Sequence, residues 1–327
     1  MSTKNNNLHN AKKAKNDEFY TQLTDIEKEM RHYKAFFNGK VVYCNCDDAR
    51  ESNFFKYFSL NFEHLGLKKL ISTGYKENGK GVVLIYEGDK NGNRKVDNEE
   101  IIVNELKGNG DFRSEECIEF LKEADVVVTN PPFSLFREYV AQLMEYGKNF
   151  LIIGEQNALT YKEIFPYIKA DKLWWGASIH SGDRKFYVPD NYPLNAATCG
   201  VDENGKRFIR VKGIRWWTNI ENTTHSTPMD LYCKYSPEYY PKYDNYDAIE
   251  VSKTCDIPMD YEGIMGVPIT FFDKYCPSQF EIVDMNPHFY SIIEQGLPKP
   301  KQLSLASHGK KDPYARILIK HKLFSAD

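Results

Sequence analysis

Residues 124–133, ADVVVTNPPF, contain the most informative pattern in this chain of 327 residues. The β-branched run 126–128 predicts a buried strand, and the sequence turns abruptly polar at Thr129 and Asn130. In open α/β sheets, ligands bind beyond the carboxyl ends of the strands. The segment that follows this strand is therefore expected at a ligand-binding edge.

Strand and helix patterns alternate on both sides of this stretch, from residue 40 to residue 156. This alternation predicts an α/β domain with a mostly parallel sheet. Further along, RFIRVKGIRWWTNI (207–220) predicts a strand pair that completes the sheet. The predicted strands are KVVYCN (40–45), KKLISTGY (68–75), ADVVVTN (124–130) and KNFLIIGE (148–155), and the predicted helices are SNFFKYFSLNFEHLG (52–66), SEECIEFLKEA (114–124) and FSLFREYVAQLMEYG (133–147).

Composition changes along the chain and suggests three regions. Residues 1–16 are polar and basic and read as an N-terminal arm. From residue 226 onward Pro, Tyr and Asp crowd together without helical period, so 226–327 is predicted to be a second, loop-rich unit. Both ends are rich in lysine and could contact phosphates, although the net charge of -3 does not by itself indicate a nucleic-acid-binding protein.

The overall composition indicates a globular protein. Apolar residues make up 41% and charged residues 27% of the chain. No apolar run approaches a membrane span and no signal peptide is apparent, so we expect no membrane partner and a cytoplasmic location. The seven cysteines are an odd number and no Cys or His cluster has metal-ligand spacing, so we expect free thiols and no metal site.

The segment Asn130-Pro131-Pro132-Phe133 carries the predicted chemistry. Each proline fixes φ and removes a backbone donor, which leaves the Asn130 side-chain oxygen and the Pro131 carbonyl as an array of acceptors. Such an array can hold the hydrogens of an exocyclic aromatic amine and free its lone pair for attack on an electrophilic methyl group. Phe133 could stack on a flipped base. The alternative is a proline-rich turn with Phe133 in the core.

This motif and its surroundings resemble the EcoRI-type family of adenine-specific DNA methyltransferases. The resemblance covers most of the chain and is strongest from 11 to 160. It is carried by DEFYT (17–21), VYCNCDD (42–48), SNFFKYF (52–58), GLKKL (66–70) and NPPF (130–133).

The family resemblance implies a Rossmann-like domain that binds S-adenosylmethionine, here residues 17–225, followed by a target-recognition region, here 226–327. It also implies methyl transfer to N6 of a flipped adenine in double-stranded DNA, by a monomer of restriction–modification type. The residues implied at the cofactor are Phe19, Tyr20 and Thr21 at its methionine end, Asp47, Asp48 and Asn53 after the first strand, and Asp111 and Phe112 at its adenine.

The turn after the first strand departs from most such enzymes. CNCDDARESN (44–53) contains no glycine, whereas a G-x-G turn is usual there. The EcoRI-type family shares this feature. For Asp47 and Asp48, the alternative is a helix N-cap pair ahead of the helix that begins near Ser52.

Residues 89–100, DKNGNRKVDNEE, place oxygen donors at several positions of an EF-hand calcium loop. Arg94 occupies the position where glycine permits the sharp turn, and the flanking runs read as strands. We therefore predict a β-hairpin with an Asn91-Gly92 turn.

Two other functions remain open from the sequence. The same acceptor geometry suits an RNA base or a protein glutamine amide, and a non-catalytic protein that binds calcium or nucleic acid could keep this fold. Arg184, Lys185, Arg207 and Arg210 are candidates for DNA contact, because they lie in turn-rich segments.

Overall fold

The computed structural model describes residues 20–46, 48–188, 192, 194, 199–296, 298, 303–305, 310–311 and 314–322. The chain divides into two compact units, one drawn from residues 1–158 and 176–220 and the other from 159–175 and 221–327. The arm predicted for residues 1–16 lies outside the described residues. None of the helices found in the described ranges combines the length and apolar character that a membrane span requires.

The strands, in chain order, are β1 (Val41–Cys44), β2 (Lys69–Gly74), β3 (Val82–Tyr86), β4 (Ile101–Glu105), β5 (Val126–Thr129), β6 (Asn149–Glu155), β7 (Trp174–Trp175), β8 (Asp183–Tyr187), β9 (Cys199–Val201), β10 (Arg207–Lys212), β11 (Ile214–Thr218), β12 (Ala248–Glu250), β13 (Ile264–Pro268), β14 (Phe280–Asn286), β15 (Ser304–Leu305), β16 (Lys310–Lys311) and β17 (Arg316–His321).

The α-helices are α1 (Leu23–Met30), α2 (Asn53–Leu60), α3 (Phe62–Leu65), α4 (Glu115–Glu123), α5 (Phe136–Glu145), α6 (Phe165–Lys169), α7 (Thr223–Ser226) and α8 (Tyr290–Glu294). Short 3-10 helices occupy Lys34–Phe37, Phe133–Leu135, Gln156–Thr160, Thr254–Asp256 and Ile269–Lys274.

Seven strands of the first unit form one mixed sheet in the order β4-β3-β2-β1-β5-β6-β11. The four strands at its centre, β2, β1, β5 and β6, are parallel, and the flanking strands β3, β4 and β11 are antiparallel. Every residue of β1 and β5 is buried, as expected for parallel strands that are covered on both faces. The predicted α/β class with a Rossmann-like sheet is confirmed.

The strand pair predicted at 207–220 divides between two sheets. β11 joins the main sheet beside β6, whereas β10 pairs with β8 and β9 in a separate antiparallel sheet of three strands. The prediction that both strands complete the main sheet is therefore wrong for β10. Gly213, with a φ of 72°, lies between β10 and β11 and provides the turn that separates them.

The long helix predicted for 52–66 is interrupted at Asn61 and becomes α2 and α3. It ends at Gly66, as predicted, in the left-handed conformation with a φ of 62°. A Cβ atom at this position would also displace the end of the Asn38 side chain, but the left-handed backbone is the main reason for glycine.

A buried carboxylate ties α1 to a distant part of the first unit. Glu29 is fully buried. It accepts hydrogen bonds from the Tyr33 hydroxyl at 2.9 Å and from the backbone amides of Ala177 and Ser178, both at 2.8 Å. These three neutral donors satisfy the buried carboxylate.

The second unit contains a four-stranded sheet in the order β12-β13-β17-β14. Its β12 and β13 are parallel, and β17 is antiparallel to both of its neighbours. A buried ion pair joins Glu250 on β12 to Arg316 on β17, with an Nη2–Oε1 distance of 2.8 Å, and the Tyr243 hydroxyl donates to the same carboxylate. Residues predicted to be loop-rich therefore have an ordered sheet and a core of their own.

Candidate active site at the edge between β1 and β5

The candidate site lies at the carboxyl ends of β1 and β5. Strands β1 and β5 are parallel neighbours. On its other side β1 pairs with β2, and on its other side β5 pairs with β6. The chain order along the sheet therefore reverses between β1 and β5. Such a switch point opens a crevice beyond the strand ends, which is where ligands bind in open α/β sheets.

Asn130 immediately follows β5 at this edge. Its side chain is 5% exposed, Pro131 is buried and Pro132 is half-buried. The carbonyl of Pro132 accepts from the amide of Leu135 at 2.9 Å, which begins the turn leading into α5. The two prolines thus hold the polar segment between the strand end and the helix, as the motif predicts.

Phe133 is 4% exposed and belongs to the hydrophobic core cluster of the first unit. The alternative interpretation of the motif also places Phe133 in the core. Stacking of its ring on a base would therefore require access that the structure does not provide, and this role stays a proposal.

Asn45 is a polar residue of the site that the sequence analysis did not single out. It directly follows β1 and is 4% exposed. The Thr129 hydroxyl donates to the Asn45 carbonyl, and the Tyr139 hydroxyl donates to the Asn45 side-chain oxygen. The ends of β1 and β5 are thereby joined by side chains. Its position directly after β1 could have identified it, because residues at the carboxyl ends of parallel strands line the ligand-binding edge.

Tyr139, on α5, was also missed. Its ring is fully buried and meets the ring of Phe112 edge-on, with centroids 5.0 Å apart. Burial raises the pKa of the Tyr139 hydroxyl well above its ordinary value, so the group remains a neutral donor toward Asn45. One turn further on α5, the Gln142 side chain donates to the Phe112 carbonyl at 3.2 Å. Helix α5 therefore connects Phe112 to Asn45.

Asp111 precedes Phe112 and is paired with Arg113. The guanidinium donates from Nε to Oδ1 at 2.8 Å and from Nη2 to Oδ2 at 2.6 Å. These hydrogen bonds hold the pKa of Asp111 below its ordinary value. The side chain is 26% exposed, so an ionised carboxylate with spare lone pairs remains accessible.

Tyr20, Thr21 and Asn53 meet in the first unit. The Asn53 side chain, at the start of α2, donates to the Thr21 carbonyl at 2.7 Å. Thr21 is 2% exposed, and within the described residues its hydroxyl has no hydrogen-bond partner. A buried hydroxyl without a partner is costly, which fits a position that a polar ligand completes. Phe19, predicted beside them, lies outside the described residues.

Asp48 is exposed and braces the turn after β1 rather than capping a helix. Its side chain accepts from the Arg50 amide at 2.9 Å. The N-cap of α2 is Ser52, whose hydroxyl accepts from the Phe54 amide at 3.2 Å. The alternative of a helix N-cap is therefore wrong for Asp48. Asp47 lies outside the described residues.

The turn after β1 lacks glycine, yet it uses a conformation that favours glycine. Cys46 has a φ of 70°, in the left-handed region. For a residue with a Cβ atom this conformation costs about 1 kcal/mol or more. In the turn after β1, Cys46 therefore holds a backbone conformation that glycine would adopt without this cost.

Residues 89–100 form the connection of a hairpin. The flanking β3 and β4 are antiparallel, which confirms the predicted hairpin. Because β3 ends at Tyr86 and β4 begins at Ile101, the connection is much longer than the predicted Asn91-Gly92 turn, and that part of the prediction is wrong. Within the connection, Asp89 accepts from the amides of Gly92 and Arg94 at 2.7 and 2.6 Å. Among the described residues, no group of three or more His, Cys, Asp or Glu side chains could hold a metal ion.

Comparisons with known proteins identify the family of this chain. The family model "Adenine-specific methyltransferase EcoRI" matches residues 7–322. The type II methyltransferase M.EcoRI from Escherichia coli is 49% identical over 325 residues, with 96% of each chain covered. Two type II methyltransferases, M.MgeORF184P from Mycoplasma genitalium and M.MpnI from Mycoplasma pneumoniae, are each 39% identical to this chain. Each match covers 96% of this chain and 98% of the relative. The chain therefore belongs to the EcoRI family of adenine-specific methyltransferases.

Proposed function

We propose that this protein transfers a methyl group from S-adenosylmethionine to N6 of an adenine in double-stranded DNA, as the modification enzyme of a restriction–modification pair. The observation that supports this most is the position of Asn130-Pro131, which directly follows β5 at the switch point of the sheet. Family membership makes adenine the acceptor and disfavours a protein glutamine.

Asn130 and Pro131 would act on the amine of the adenine. An exocyclic amine is a weak nucleophile because its lone pair is delocalised into the ring. The Asn130 side-chain oxygen and the Pro131 carbonyl would accept its two hydrogens, which favours a tetrahedral nitrogen with a free lone pair. Both acceptors are fixed before the substrate arrives, so little reorganisation is needed during the reaction.

The residues of the first unit fit the proposed cofactor. The Thr21 hydroxyl is buried without a partner in the described part of the chain, and Asp111 keeps accessible lone pairs. Thr21, Tyr20 and Asn53 would hold the methionine end, and Asp111 and Phe112 the adenine end. When bound, S-adenosylmethionine supplies an electrophilic methyl group on a sulfonium. Asp48 is exposed beside the turn and would contact the ammonium group together with Asp47.

The remaining assignments concern the substrate. A base inside a duplex cannot reach a buried amide, so the target adenine must leave the stack, and Phe133 would pack on it if its ring became accessible. Residues 226–327 would read the DNA sequence, and residues 17–225 would bind the cofactor. We propose that the enzyme acts as a monomer, since it modifies one strand per visit, and in the cytoplasm, where bacterial DNA lies.

The test is methyl transfer from labelled S-adenosylmethionine to mixed genomic DNA, followed by nucleoside analysis. We expect N6-methyladenine from the wild type. Asn130→Ala should lower kcat by about 10²- to 10³-fold, because it removes one fixed acceptor. Asn104→Ala, at an exposed position on β4, is the matched control and should retain activity.

Cofactor binding by calorimetry completes the experiment. Asn130→Ala should bind the cofactor as the wild type does. If Asn130→Ala loses cofactor binding, Asn130 has another role. If the wild type binds the cofactor but leaves no label in DNA, the proposed substrate is wrong.

A further inference from the structure

The three-stranded sheet β8-β10-β9 has two chemically different faces. In its antiparallel register, Lys185 lies opposite Arg210 and Tyr187 lies opposite Phe208, so these four side chains share one face. Residues on the other face, such as Ile209, are buried in the hydrophobic core of the first unit. The first set therefore forms the outer face of this sheet.

The register sorts the four basic residues that the sequence suggested for DNA contact. Arg184 and Arg207 lie on the inner face. Arg184 donates to the backbone carbonyls of Asp183 and Ser181 at 3.1 and 3.3 Å, and Arg207 donates to the Tyr192 carbonyl at 2.7 Å. Their guanidinium groups are held against the protein backbone. Arg184 and Arg207 are therefore structural residues.

On the outer face, cationic side chains pack against the rings of Tyr187 and Phe208. The Lys185 ammonium is 4.5 Å from the centroid of Phe208 and 4.9 Å from that of Tyr187. The Lys206 ammonium is 5.5 Å from Tyr187, and the Arg210 guanidinium is 5.8 Å from Phe208. Aromatic rings attract cations without neutralising them. The positive charges are thus positioned at the surface of the sheet.

Acidic neighbours offset this charge only in part. Lys185 is 3.5 Å from Asp202, and Arg210 is 3.8 Å from Asp183. Lys206, directly before β10, and Lys212, its last residue, are two further exposed cations, and Glu203 in the turn before Lys206 is one further exposed acid. The outer face is therefore positive on a chain whose net charge is -3. An anionic partner is the one that complements it.

Strand β8 of this sheet is paired with a segment that carries candidate cofactor residues of the same unit. The Tyr20 amide donates to the Tyr187 carbonyl at 2.9 Å, and the Tyr187 amide donates to the Tyr20 carbonyl at 3.1 Å. Strand β8 is thereby attached to the segment that carries Thr21. An anionic polymer bound on the outer face would lie beside the site where its base is methylated.

We propose that the outer face of the β8-β10-β9 sheet binds the phosphate backbone of duplex DNA next to the target adenine. The inference rests on the proposed function. Backbone binding is favoured over stacking of single-stranded bases, because the Lys185, Lys206 and Arg210 cations cover the aromatic rings. Lys185 and Arg210 are the central phosphate ligands, with Lys206 and Lys212 at the margins.

The experiment measures affinity for a labelled duplex of mixed sequence across a series of salt concentrations. Each lost phosphate contact reduces the slope of log K against log salt by about 0.9. Lys185→Gln combined with Arg210→Gln should therefore reduce the slope by about 1.8. A second pair, Lys206→Gln with Lys212→Gln, tests the margins without touching the central residues, should the first pair impair folding.

The matched control is Lys80→Gln with Lys122→Gln, which removes the same charge from exposed lysines elsewhere in the first unit. Its slope should remain close to that of the wild type. If both outer-face pairs behave like this control while the wild type still methylates DNA, the surface assignment is wrong and the proposed function stands. If the wild type neither binds duplex DNA nor methylates it, both fail.

Discussion

Two buried polar clusters of this protein differ in what surrounds them. In the second unit, Glu250 and Arg316 form an ion pair with three hydrogen bonds of 2.8 to 3.1 Å, and Tyr243 completes it. We call this the ion-pair cluster. In the first unit, Asn45, Thr129 and Tyr139 form a neutral edge cluster at the ends of β1 and β5.

The surroundings of the two clusters distinguish buried polar groups that stabilise the fold from those that position a functional motif. The ion-pair cluster joins β12 to β17 across β13, and its groups are turned toward one another. The edge cluster lies at a sheet edge, next to Asn130, where a ligand is expected. A buried charge that is fully paired serves the fold, whereas neutral groups aligned beside a motif position that motif.

Breaking the ion-pair cluster should have the largest effect on stability. Arg316→Leu leaves Glu250 buried without its cation, which costs about 3–5 kcal/mol of unfolding free energy. Hydrogen exchange at the amides of β13 and β17 measures the loss. Arg316→Leu combined with Glu250→Leu should recover most of it, because the unpaired charge is removed as well. A double variant as unstable as the single one would contradict this account.

Loosening the edge cluster should affect the reaction more than the fold. Tyr139→Phe removes one hydroxyl and leaves the contact with Phe112. The Asn45 side-chain oxygen loses its hydroxyl donor and keeps the weaker donor of the Cys46 thiol, so we expect kcat to fall about tenfold, equivalent to about 1.4 kcal/mol. KM for the cofactor should change less than kcat. Tyr146→Phe, at the end of the same helix, is the control. Equal losses in both variants would reduce Tyr139 to a packing residue.

A smaller effect concerns the pH dependence of the second unit. Burial lowers the pKa of His321, and this effect outweighs the opposing influence of the hydrogen bond from Nε2 to the Pro258 carbonyl, at 2.7 Å, and of the Asp260 charge. The unfolded chain therefore binds a proton more readily, below about pH 6.5. Stability should rise with pH through this range and fall on acidification, by about 1 kcal/mol per pH unit or less.

His321→Gln keeps an amide donor toward Pro258 and removes the titrating ring. The variant should therefore show a flatter stability profile between pH 5 and pH 7, two values that bracket the ordinary pKa of about 6.5. Chemical unfolding at a series of pH values provides the comparison. An unchanged slope would assign the pH dependence to other groups.

The sequence was sufficient for the central parallel strands and for the position of Asn130. Both depend on local patterns: a short apolar run, and a polar motif at its end. It was insufficient for Asn45 and Tyr139, because their contact joins residues 94 apart and has no local signature. The sequence also could not show whether Phe133 packs in the core or is exposed for stacking, because the motif does not specify which face of the ring is covered.

The sheet of the second unit was missed for a related reason. Strand β17 inserts between β13 and β14, although it follows both in the chain. Each strand is short, and segments rich in Pro and Tyr separate one strand from the next. The sequence therefore has no regular spacing of strands that would predict a sheet. The three-stranded sheet of the first unit was missed in the same way, and β10 was assigned to the wrong partner.

Glu29 has a consequence for how this protein is made. Its acceptors are satisfied by amides that lie 148 and 149 residues later in the chain. A ribosome that adds about 5–20 residues per second delivers those amides on the order of ten seconds after Glu29 itself. During that interval the Glu29 carboxylate has Tyr33 but lacks the other two of its three donors. Helix α1 therefore acquires its final contacts only after residues 177 and 178 have been synthesised.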